Sequence, residues 1–289
     1  MLAQFRAQID AMAKKIFITG ASGYIGARLC EDLEKKYDVI RSSRSLIRSD
    51  AVALDITNNA ETMAVIKKHK PDIVVHSAAL ASSSECNKDP GSAEKINVEG
   101  TKNIAEAAKS VGAKLFLVSA ASIVLKETEY ERTKALSEEA VKSISSDYLI
   151  LQPVVVFGLS PNTKTKKHFN QILANINGAG PYAYDNKWRF RPTWINDISK
   201  VIDSCIEMNI NRNTIPIAVS DKTLKTTYEI ARDILSNFNI TPDQASTSSR
   251  PILDVDTSIL HSLNLQTSTY KEMIKGITNE IKESGMVAQ

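Results

Sequence analysis

Residues 14–36, KKIFITGASGYIGARLCEDLEKK, decide the predicted fold. The run from Ile16 to Thr19 is short, apolar and rich in β-branched residues, which predicts a buried parallel strand. Apolar residues then recur at every fourth position among charged ones, which predicts an amphipathic helix. These residues are Ile25, Leu29 and Leu33. A strand, a glycine-rich turn and a helix are therefore expected to follow one another directly.

The turn itself contains Gly20, Gly23 and Gly26 in the spacing GxxGxxG. Glycine lets a backbone approach a pyrophosphate closely, and a helix N-terminus offers free N–H groups and the positive end of its dipole. We therefore predict that this turn binds the pyrophosphate of a dinucleotide. The intervening residues Ser22, Tyr24 and Ile25 are expected to line the same site. The alternative is an ordinary strand–helix turn that is rich in glycine.

The end of the second predicted strand indicates which dinucleotide is bound. Arg41 lies about 20 residues after the first glycine, where NAD-binding proteins usually carry an acidic residue and NADP-binding proteins an arginine. Arg44 is close by, Ser42 and Ser43 are expected to add hydroxyl donors, and no Asp or Glu occurs in the turn. This pattern favours NADP over NAD. Solvated loop arginines are the alternative.

Strands and helices continue to alternate after this segment, which predicts an α/β fold with a Rossmann-type, doubly wound parallel sheet. We assign residues 12–158 to an NADP-binding domain, with a return segment at about 193–219. Residues 159–192 and 220–289 form a smaller substrate-binding region, and residues 1–11 an N-terminal extension outside the fold. Ligands are expected at the carboxyl ends of the strands.

Composition excludes several classes of protein. The net charge of +3 is too small, and the lysines too scattered, to indicate a nucleic-acid partner. No apolar run approaches the roughly 18 residues that a membrane helix needs. Cys30, Cys86 and Cys205 lack the spacing of metal ligands, so we expect reduced thiols in a cytoplasmic protein and no metal site.

The segment YERTK, residues 130–134, places Tyr130 and Lys134 on one face of a predicted helix. Taken alone, such a pair is more often a surface feature than a catalytic one. Several motifs occur in a fixed order, however: TGASGYIG, HSAA, NVEGT, VSAAS, YERTK and LQPVVVFG. In this order they resemble extended short-chain dehydrogenase/reductases over nearly the whole chain. The segment RFRPTWINDISKVI resembles the one where these proteins return to the cofactor domain. The segment TTYEIARDILSNFNI, followed by RPILDVDTSILHSLNLQTSTYKEMIKGI, is similar to the closing region of dTDP-4-dehydrorhamnose reductases and their relatives.

The resemblance implies roles for the Tyr–Lys pair. Tyr130 would protonate the substrate oxygen, while Lys134 would bind the nicotinamide ribose and lower the pKa of Tyr130. A nearby ammonium favours a phenolate, so a phenol with a pKa closer to neutrality could exchange a proton with a developing alkoxide.

Further cofactor contacts are implied by the same resemblance. The expected positions are Asp55 and Ile56 beside the adenine, Ala78, Ala79 and Leu80 along the groove, Asn97, Ser119, and Pro153 and Val156 on the nicotinamide side. Some of them have structural alternatives: Asp55 as a helix N-cap, Asn97 as a satisfied helix residue, and His76 as a buried histidine at a strand end.

One catalytic position departs from the family pattern. The third catalytic hydroxyl, a serine or threonine in the family, falls on Ala121. Ser122 is the expected substitute if the strand end shifts by one residue, and Ser119 lies deeper in the strand. Only KETE separates Leu125 from Tyr130, so a substrate-covering loop of the family is shortened here.

The substrate is expected to contact a basic, partly aromatic cap. Trp188 is predicted to stack on a nucleotide base, and Arg189 and Arg191 to bind the diphosphate. The leading hypothesis is an NADP-dependent reductase of a nucleotide-diphosphate 4-keto-6-deoxy sugar. The alternatives are a nucleotide-sugar epimerase of the same superfamily and a non-catalytic, dinucleotide-binding regulatory subunit. The resemblance leaves a homodimer open.

Overall fold

The computed structural model describes residues 14–45, 49–165 and 167–285, so the predicted extension of residues 1–11 lies outside the described residues. The chain divides into two compact units. Among the described residues, the first unit comprises those up to 151 together with 205–214, and the second comprises those from 152 to 204 and from 215 to 285.

The first unit opens with alternating strands and helices, as predicted. Its elements are β1 (Lys15–Thr19), α1 (Tyr24–Leu33), β2 (Asp38–Ser43), β3 (Val52–Ala53), α2 (Asn59–His69) and β4 (Ile73–His76). After them come α3 (Ser83–Lys88), α4 (Pro90–Ala93), a π-helical segment (Glu94–Glu99), α5 (Gly100–Ser110), β5 (Lys114–Val118), a 3₁₀ turn (Ala121–Val124), α6 (Glu129–Ile144) and β6 (Tyr148–Pro153).

A seven-stranded sheet has the strand order β10-β6-β5-β4-β1-β2-β3, where β10 is Asn213–Ile217. The pairs from β3 through β2, β1, β4 and β5 to β6 are parallel. Because β1 lies in the middle and the chain winds outward on both sides of it, the predicted doubly wound sheet is confirmed. The parallel pairing brings the ends of β1, β2, β4 and β5 to one edge.

The sheet strands are apolar on both faces, which is why they are buried. Phe17, Val74 and Leu115 are fully buried in one cluster together with residues of α5, including Ile104 and Ala108. Burying side chains of this size contributes roughly 1.5–3 kcal/mol each. This core fixes the strands whose carboxyl ends carry the predicted site.

The second unit contains short strands and helices. They are β7 (Val155–Phe157), α7 (His168–Ile176), β8 (Ala183–Asp185), β9 (Pro192–Trp194), α8 (Ile195–Glu207), α9 (Thr227–Leu235), a 3₁₀ turn (Ser236–Phe238), β11 (Asp243–Ala245), α10 (Ser258–Ser262) and α11 (Tyr270–Glu283). The elements β6, α8 and β10 cross the division between the units. Two parallel strand pairs organise it, β7 with β9 and β8 with β11.

The division between the units differs from the predicted one. The chain from Tyr148 to Phe157 forms two strands, because Val154 donates its N–H to Thr193 Oγ1 at 2.9 Å and β7 then pairs with β9. Residues 152–158 therefore belong to the second unit, not to the cofactor domain. No helix in the described part of the chain combines the length and the apolar character needed to cross a membrane.

Candidate functional site

The glycine turn packs tightly against the end of β4. Gly20 has a φ of +69°, and a Cβ there would lie 2.6 Å from the backbone nitrogen of Ala78. A Cβ on Gly26 would lie 2.7 Å from Ser77 Oγ. Larger residues at these two positions would therefore push the turn away from β4. Among the described residues, no side chain caps the N-terminus of α1, which begins after Gly23. The segment has the form of a dinucleotide-binding turn.

The end of β2 differs from the prediction. Arg41 lies in the strand, where its guanidinium pairs with Glu34 and also lies 3.8 Å from an oxygen of Asp50. Burial alone would lower the pKa of Arg41, but the hydrogen bond and charge of Glu34 outweigh it and raise the pKa. The carboxylates of Glu34 and Asp50 would therefore compete with a 2′-phosphate for Arg41. Both lie outside the RSSRS turn, so the sequence of the turn did not reveal them. Ser42 and Ser43 are buried; Ser43 donates to the carbonyl of Ser45, whereas the Ser42 hydroxyl has no hydrogen-bond partner among the described residues, so its role as a donor to the cofactor stays a prediction.

The side chains of Asp55 and Ile56 contact other residues of the first unit: Thr57 for Asp55 and Gly100 for Ile56. The Asp55 carboxylate accepts hydrogen bonds from the backbone and hydroxyl of Thr57 at 2.9 and 2.8 Å, which lowers its pKa. The N-cap of α2 is Asn58, so the alternative role of Asp55 as that cap is wrong. Ile56 is buried against Gly100, where an added Cβ would meet its side chain. Only the backbone of Ile56 is therefore left for a cofactor.

Side chains hold the segment from Ser77 to Leu80, which follows β4 and includes Ala78 and Ala79. Ser77 Oγ donates to the carbonyl of Thr19 at 2.7 Å, and the Ala78 N–H donates to Thr19 Oγ1 at 3.3 Å. Asn97 Oδ1 accepts from the Leu80 N–H at 2.8 Å, and its Nδ2 donates to the Leu80 carbonyl at 3.2 Å. The predicted wall of the cofactor groove is thus fixed at both ends.

Asn97 itself is buried within the π-helical segment. In addition to Leu80, its Nδ2 contacts Thr133 Oγ1 at 3.0 Å, and Thr133 belongs to α6. An asparagine with its amide used in this way is a structural residue. The observed contacts match the alternative of a satisfied helix asparagine, and they connect the groove wall to the helix that carries Tyr130.

His76 occupies the centre of a buried hydrogen-bond chain. Its Nδ1 lies 2.7 Å from Thr19 Oγ1 and its Nε2 lies 3.1 Å from Thr101 Oγ1. Because the Thr101 hydroxyl donates to the Asn97 carbonyl, we assign the ring proton to Nε2. Burial, with a smaller effect from the charge of Lys134, lowers the pKa of His76 to about 3. The ring is therefore neutral, and it joins β1 and β4 to the helix at Asn97.

The predicted Tyr–Lys pair lies at the start of α6, whose N-terminus is fixed by a capping box between Thr128 and Glu131. Lys134 is buried, and its Nζ donates to the carbonyl of Val118 at 2.8 Å. This bond fastens α6 to the end of β5. Burial lowers the pKa of Lys134 to about 8.

The pKa of Tyr130 is shifted in the direction opposite to the predicted one. Burial raises it, and the neighbouring Cys86 and Glu131 raise it further. Desolvation outweighs the expected help from Lys134, whose ammonium is directed to a backbone carbonyl. Tyr130 is therefore a neutral phenol at neutral pH and a weaker acid than an ordinary tyrosine. Cys86, in the unpredicted helix α3, is a neighbour that sequence reasoning missed.

The strand that precedes position 121 ends before Ser119, which was predicted to lie within it. β5 stops at Val118, and Ala121 begins a 3₁₀ turn, so the strand alternation that would direct Ser122 away no longer applies. Ala121 is buried and Ser122 is half-buried. Ser119 is buried, and its hydroxyl has no hydrogen-bond partner among the described residues.

A cavity of about 700 Å³ opens where the family loop is shortened. Its lining includes Ile123, Lys126, Glu131 and Leu136. It lies beside the N-terminus of α6 and belongs entirely to the first unit.

The predicted substrate residues lie in the second unit, as do Pro153 and Val156. Arg191 is buried and donates to the carbonyls of Val219 and Val255, both at 2.8 Å, so its observed role is structural. Trp188 is half-buried and donates to the Pro251 carbonyl at 2.9 Å, with the Arg250 guanidinium 4.5 Å from its ring centre. Arg189 is exposed and lies 3.5 Å from Glu229.

Comparison with known proteins identifies the relatives of this chain. The family model "RmlD substrate binding domain" matches residues 14–258. Methionine adenosyltransferase 2 subunit beta of Xenopus laevis is 27% identical over 270 residues, which cover 85% of this chain and 77% of the relative. The dTDP-4-dehydrorhamnose reductase of Aggregatibacter actinomycetemcomitans is 25% identical over 297 residues, which cover 91% of this chain and 98% of the relative.

A solved structure gives the same result for the fold. The dTDP-4-dehydrorhamnose reductase of Bacillus anthracis, crystallised in complex with NADP, has a TM-score of 0.80 and 22% identity, covering 93% of this chain and 99% of that one. The predicted resemblance to extended short-chain dehydrogenase/reductases is confirmed. Because the family model spans most of the sequence, this chain belongs to the RmlD substrate binding domain family.

Proposed function

We propose that the protein is an NADP-dependent reductase of a 4-keto-6-deoxy sugar carried on a nucleoside diphosphate. The observation that carries this proposal is the fastening of α6 to β5 through Lys134 and Val118. It brings the start of the helix that carries Tyr130 to the edge of the sheet where the glycine turn also lies. Family membership supports the same substrate class.

The glycine turn and the N-terminus of α1 would hold the pyrophosphate of NADPH. The tight packing of Gly20 and Gly26 against the end of β4 leaves the turn close to the sheet. Ser22, Tyr24 and Ile25 would complete this subsite, and Arg41 and Arg44 would face the 2′-phosphate. The segment fixed by Thr19 and Asn97 would form the groove wall.

Reduction requires a proton as well as a hydride. A bound reduced nicotinamide supplies the hydride to the carbonyl carbon. Like any tyrosine with an ordinary or raised pKa, Tyr130 is protonated at neutral pH, so it has a proton to donate to the oxygen that becomes negative. Lys134 would bind the ribose and hold Tyr130 in place from the next helical turn. Ser122 is the hydroxyl proposed to bind the substrate oxygen in place of Ala121.

The substrate contacts are assigned to the second unit. The half-buried ring of Trp188 and the exposed guanidinium of Arg189 are the groups proposed to bind the nucleotide portion. Arg191 is better suited to holding residues 219 and 255 together. Pro153 and Val156 are proposed to face the nicotinamide.

Turnover with a panel of nucleoside-diphosphate 4-ketosugars tests the proposal. NADPH oxidation is followed by its loss of absorbance, with Tyr130→Phe as the matched control. We expect at least one ketosugar to oxidise NADPH with the wild-type protein and none with the control. If none is reduced while NADPH still binds, the enzymatic proposal is wrong.

A second candidate function is a non-catalytic, dinucleotide-binding regulatory subunit. Two observations favour it: alanine occupies position 121, and one of the most similar relatives is a methionine adenosyltransferase beta subunit. Such a protein would bind a dinucleotide without turnover. Its dinucleotide affinity and its effect on a partner enzyme would then be unaffected by Tyr130→Phe.

A further inference from the structure

Arg41 is held in a clamp of two carboxylates. Its side chain is only 11% exposed, whereas those of Glu34 and Asp50 are 43% and 49% exposed. The guanidinium Nη2 contacts Glu34, and Nη1 lies 3.8 Å from Asp50. A charge-assisted contact of this kind uses the donors that a phosphate would need. The residue predicted to select NADP is therefore already paired.

The backbone fixes both partners of the main contact. Glu34 is the C-cap of α1, where its N–H donates to the Cys30 carbonyl at 3.1 Å. Arg41 lies opposite Ile18 in the parallel pair of β1 and β2. The next residue, Ser42, accepts from the Ala21 N–H of the glycine turn at 2.9 Å. The clamp is consequently built into the strand end that adjoins the dinucleotide-binding turn.

We infer that Glu34 is a specificity-determining residue that restrains Arg41 and reduces the preference for NADPH over NADH. This inference rests on the proposed function, because it requires a dinucleotide at the glycine turn. A 2′-phosphate carries nearly two negative charges at neutral pH, so it would be repelled by Glu34 and Asp50 and would compete with them for Arg41. A 2′-hydroxyl meets no such repulsion and can donate to a carboxylate.

Removing the charge of Glu34 should change the affinity for NADPH, which carries the 2′-phosphate, and leave the affinity for NADH nearly unchanged. Replacing Glu34 with glutamine removes the charge and keeps an acceptor of nearly the same shape. We expect NADPH to bind about five- to tenfold more tightly, while NADH affinity changes by less than about twofold. A merely structural role for Glu34 would change both affinities together. Asp50→Asn combined with Glu34→Gln should increase the NADPH preference further.

Titration calorimetry provides the test without any turnover. NADPH and NADH are titrated into the wild type, Glu34→Gln, Arg41→Ala and the double variant that combines Glu34→Gln with Arg41→Ala. The fragments 2′,5′-ADP and 5′-AMP are titrated in the same way, because they represent the adenosine half with and without the 2′-phosphate. Glu31→Gln is the matched control, because Glu31 is an exposed acid on the same helix. In the Arg41→Ala background, the gain from Glu34→Gln should shrink by at least about half, since much of it acts through Arg41.

The outcomes separate this inference from the proposed function. If the wild type binds both dinucleotides but Glu34→Gln leaves their affinity ratio unchanged, the clamp does not determine specificity. Equal weakening of both ligands would also overturn the inference, as would the same gain in Glu31→Gln. If the wild type binds neither NADPH nor NADH, it is the proposed function that fails.

Discussion

Protonation of His76 should couple the stability of the first unit to pH. Its pKa is lowered from 6.5 to about 3 in the folded protein. The unfolded chain therefore binds more protons than the folded one between these values, so stability is complete above about pH 6.5 and falls as pH decreases toward 3. At pH 5 the loss attributable to His76 is about 2 kcal/mol, because each pKa unit corresponds to about 1.4 kcal/mol.

Urea unfolding at pH 7 and pH 5 measures this loss directly. His76→Gln keeps a donor and an acceptor between Thr19 and Thr101 but cannot titrate. The variant is expected to be less stable at pH 7 and to lose about 2 kcal/mol less than the wild type between the two pH values. Other groups that titrate in both proteins cancel in this comparison.

His69→Gln is the matched control for the His76 experiment. His69 is half-buried, and its ring lies 5.8 Å from that of Phe17. Burial lowers the pKa of His69 as well, but the ring of His76 is far more deeply buried and its pKa falls much further, so the control should retain most of the wild-type pH dependence. If the wild type and His76→Gln lose the same stability on acidification, His76 is not the titrating group and its assignment as a neutral linker is wrong.

Three further predictions concern the catalytic helix and the missing hydroxyl. Tyr130→Phe should abolish reduction and leave NADPH affinity nearly unchanged, as measured by turnover and calorimetry; retained turnover would exclude Tyr130 as the acid. Lys134→Met should reduce both turnover and NADPH affinity, because the ammonium is proposed to bind the ribose; unchanged affinity would contradict that contact. Ser122→Ala should lower turnover about a hundredfold, and Ala121→Ser should be tolerated; a silent Ser122→Ala would remove the proposed substitute hydroxyl.

Local patterns in the sequence predicted those elements of the fold that are determined by residues close together in the chain. The spacing of Gly20, Gly23 and Gly26 after an apolar run located the turn, and the recurrence of Ile25, Leu29 and Leu33 located α1. Helix α3 was missed, although Ser82 and Glu85 have the S-x-x-E spacing of an N-terminal cap, and the Ser82 side chain accepts from the Glu85 N–H.

Long-range contacts are where sequence reasoning failed. Arg41 is paired with Glu34 from the preceding helix, so a search of the turn alone could not find its competitor. Thr19, His76 and Thr101 are separated by 57 and 25 positions in the chain, and only the parallel order of the strands joins them. A buried polar network of this kind leaves no periodic signal, because its members come from three separate elements of the chain.

The consequences of Ala121 depend on what remains at the end of β5. Hydride transfer builds negative charge on the substrate oxygen, and the half-buried, neutral phenol of Tyr130 can neutralise it only by giving up its proton. A second hydrogen-bond donor would stabilise part of the negative charge on the substrate oxygen before the phenol transfers its proton. Ser119 is fully enclosed, whereas Ser122 lies in the 3₁₀ turn and is half-buried. We therefore propose Ser122 as the hydroxyl that takes the place of the one missing at position 121, and the effect of Ser122→Ala on turnover tests that role.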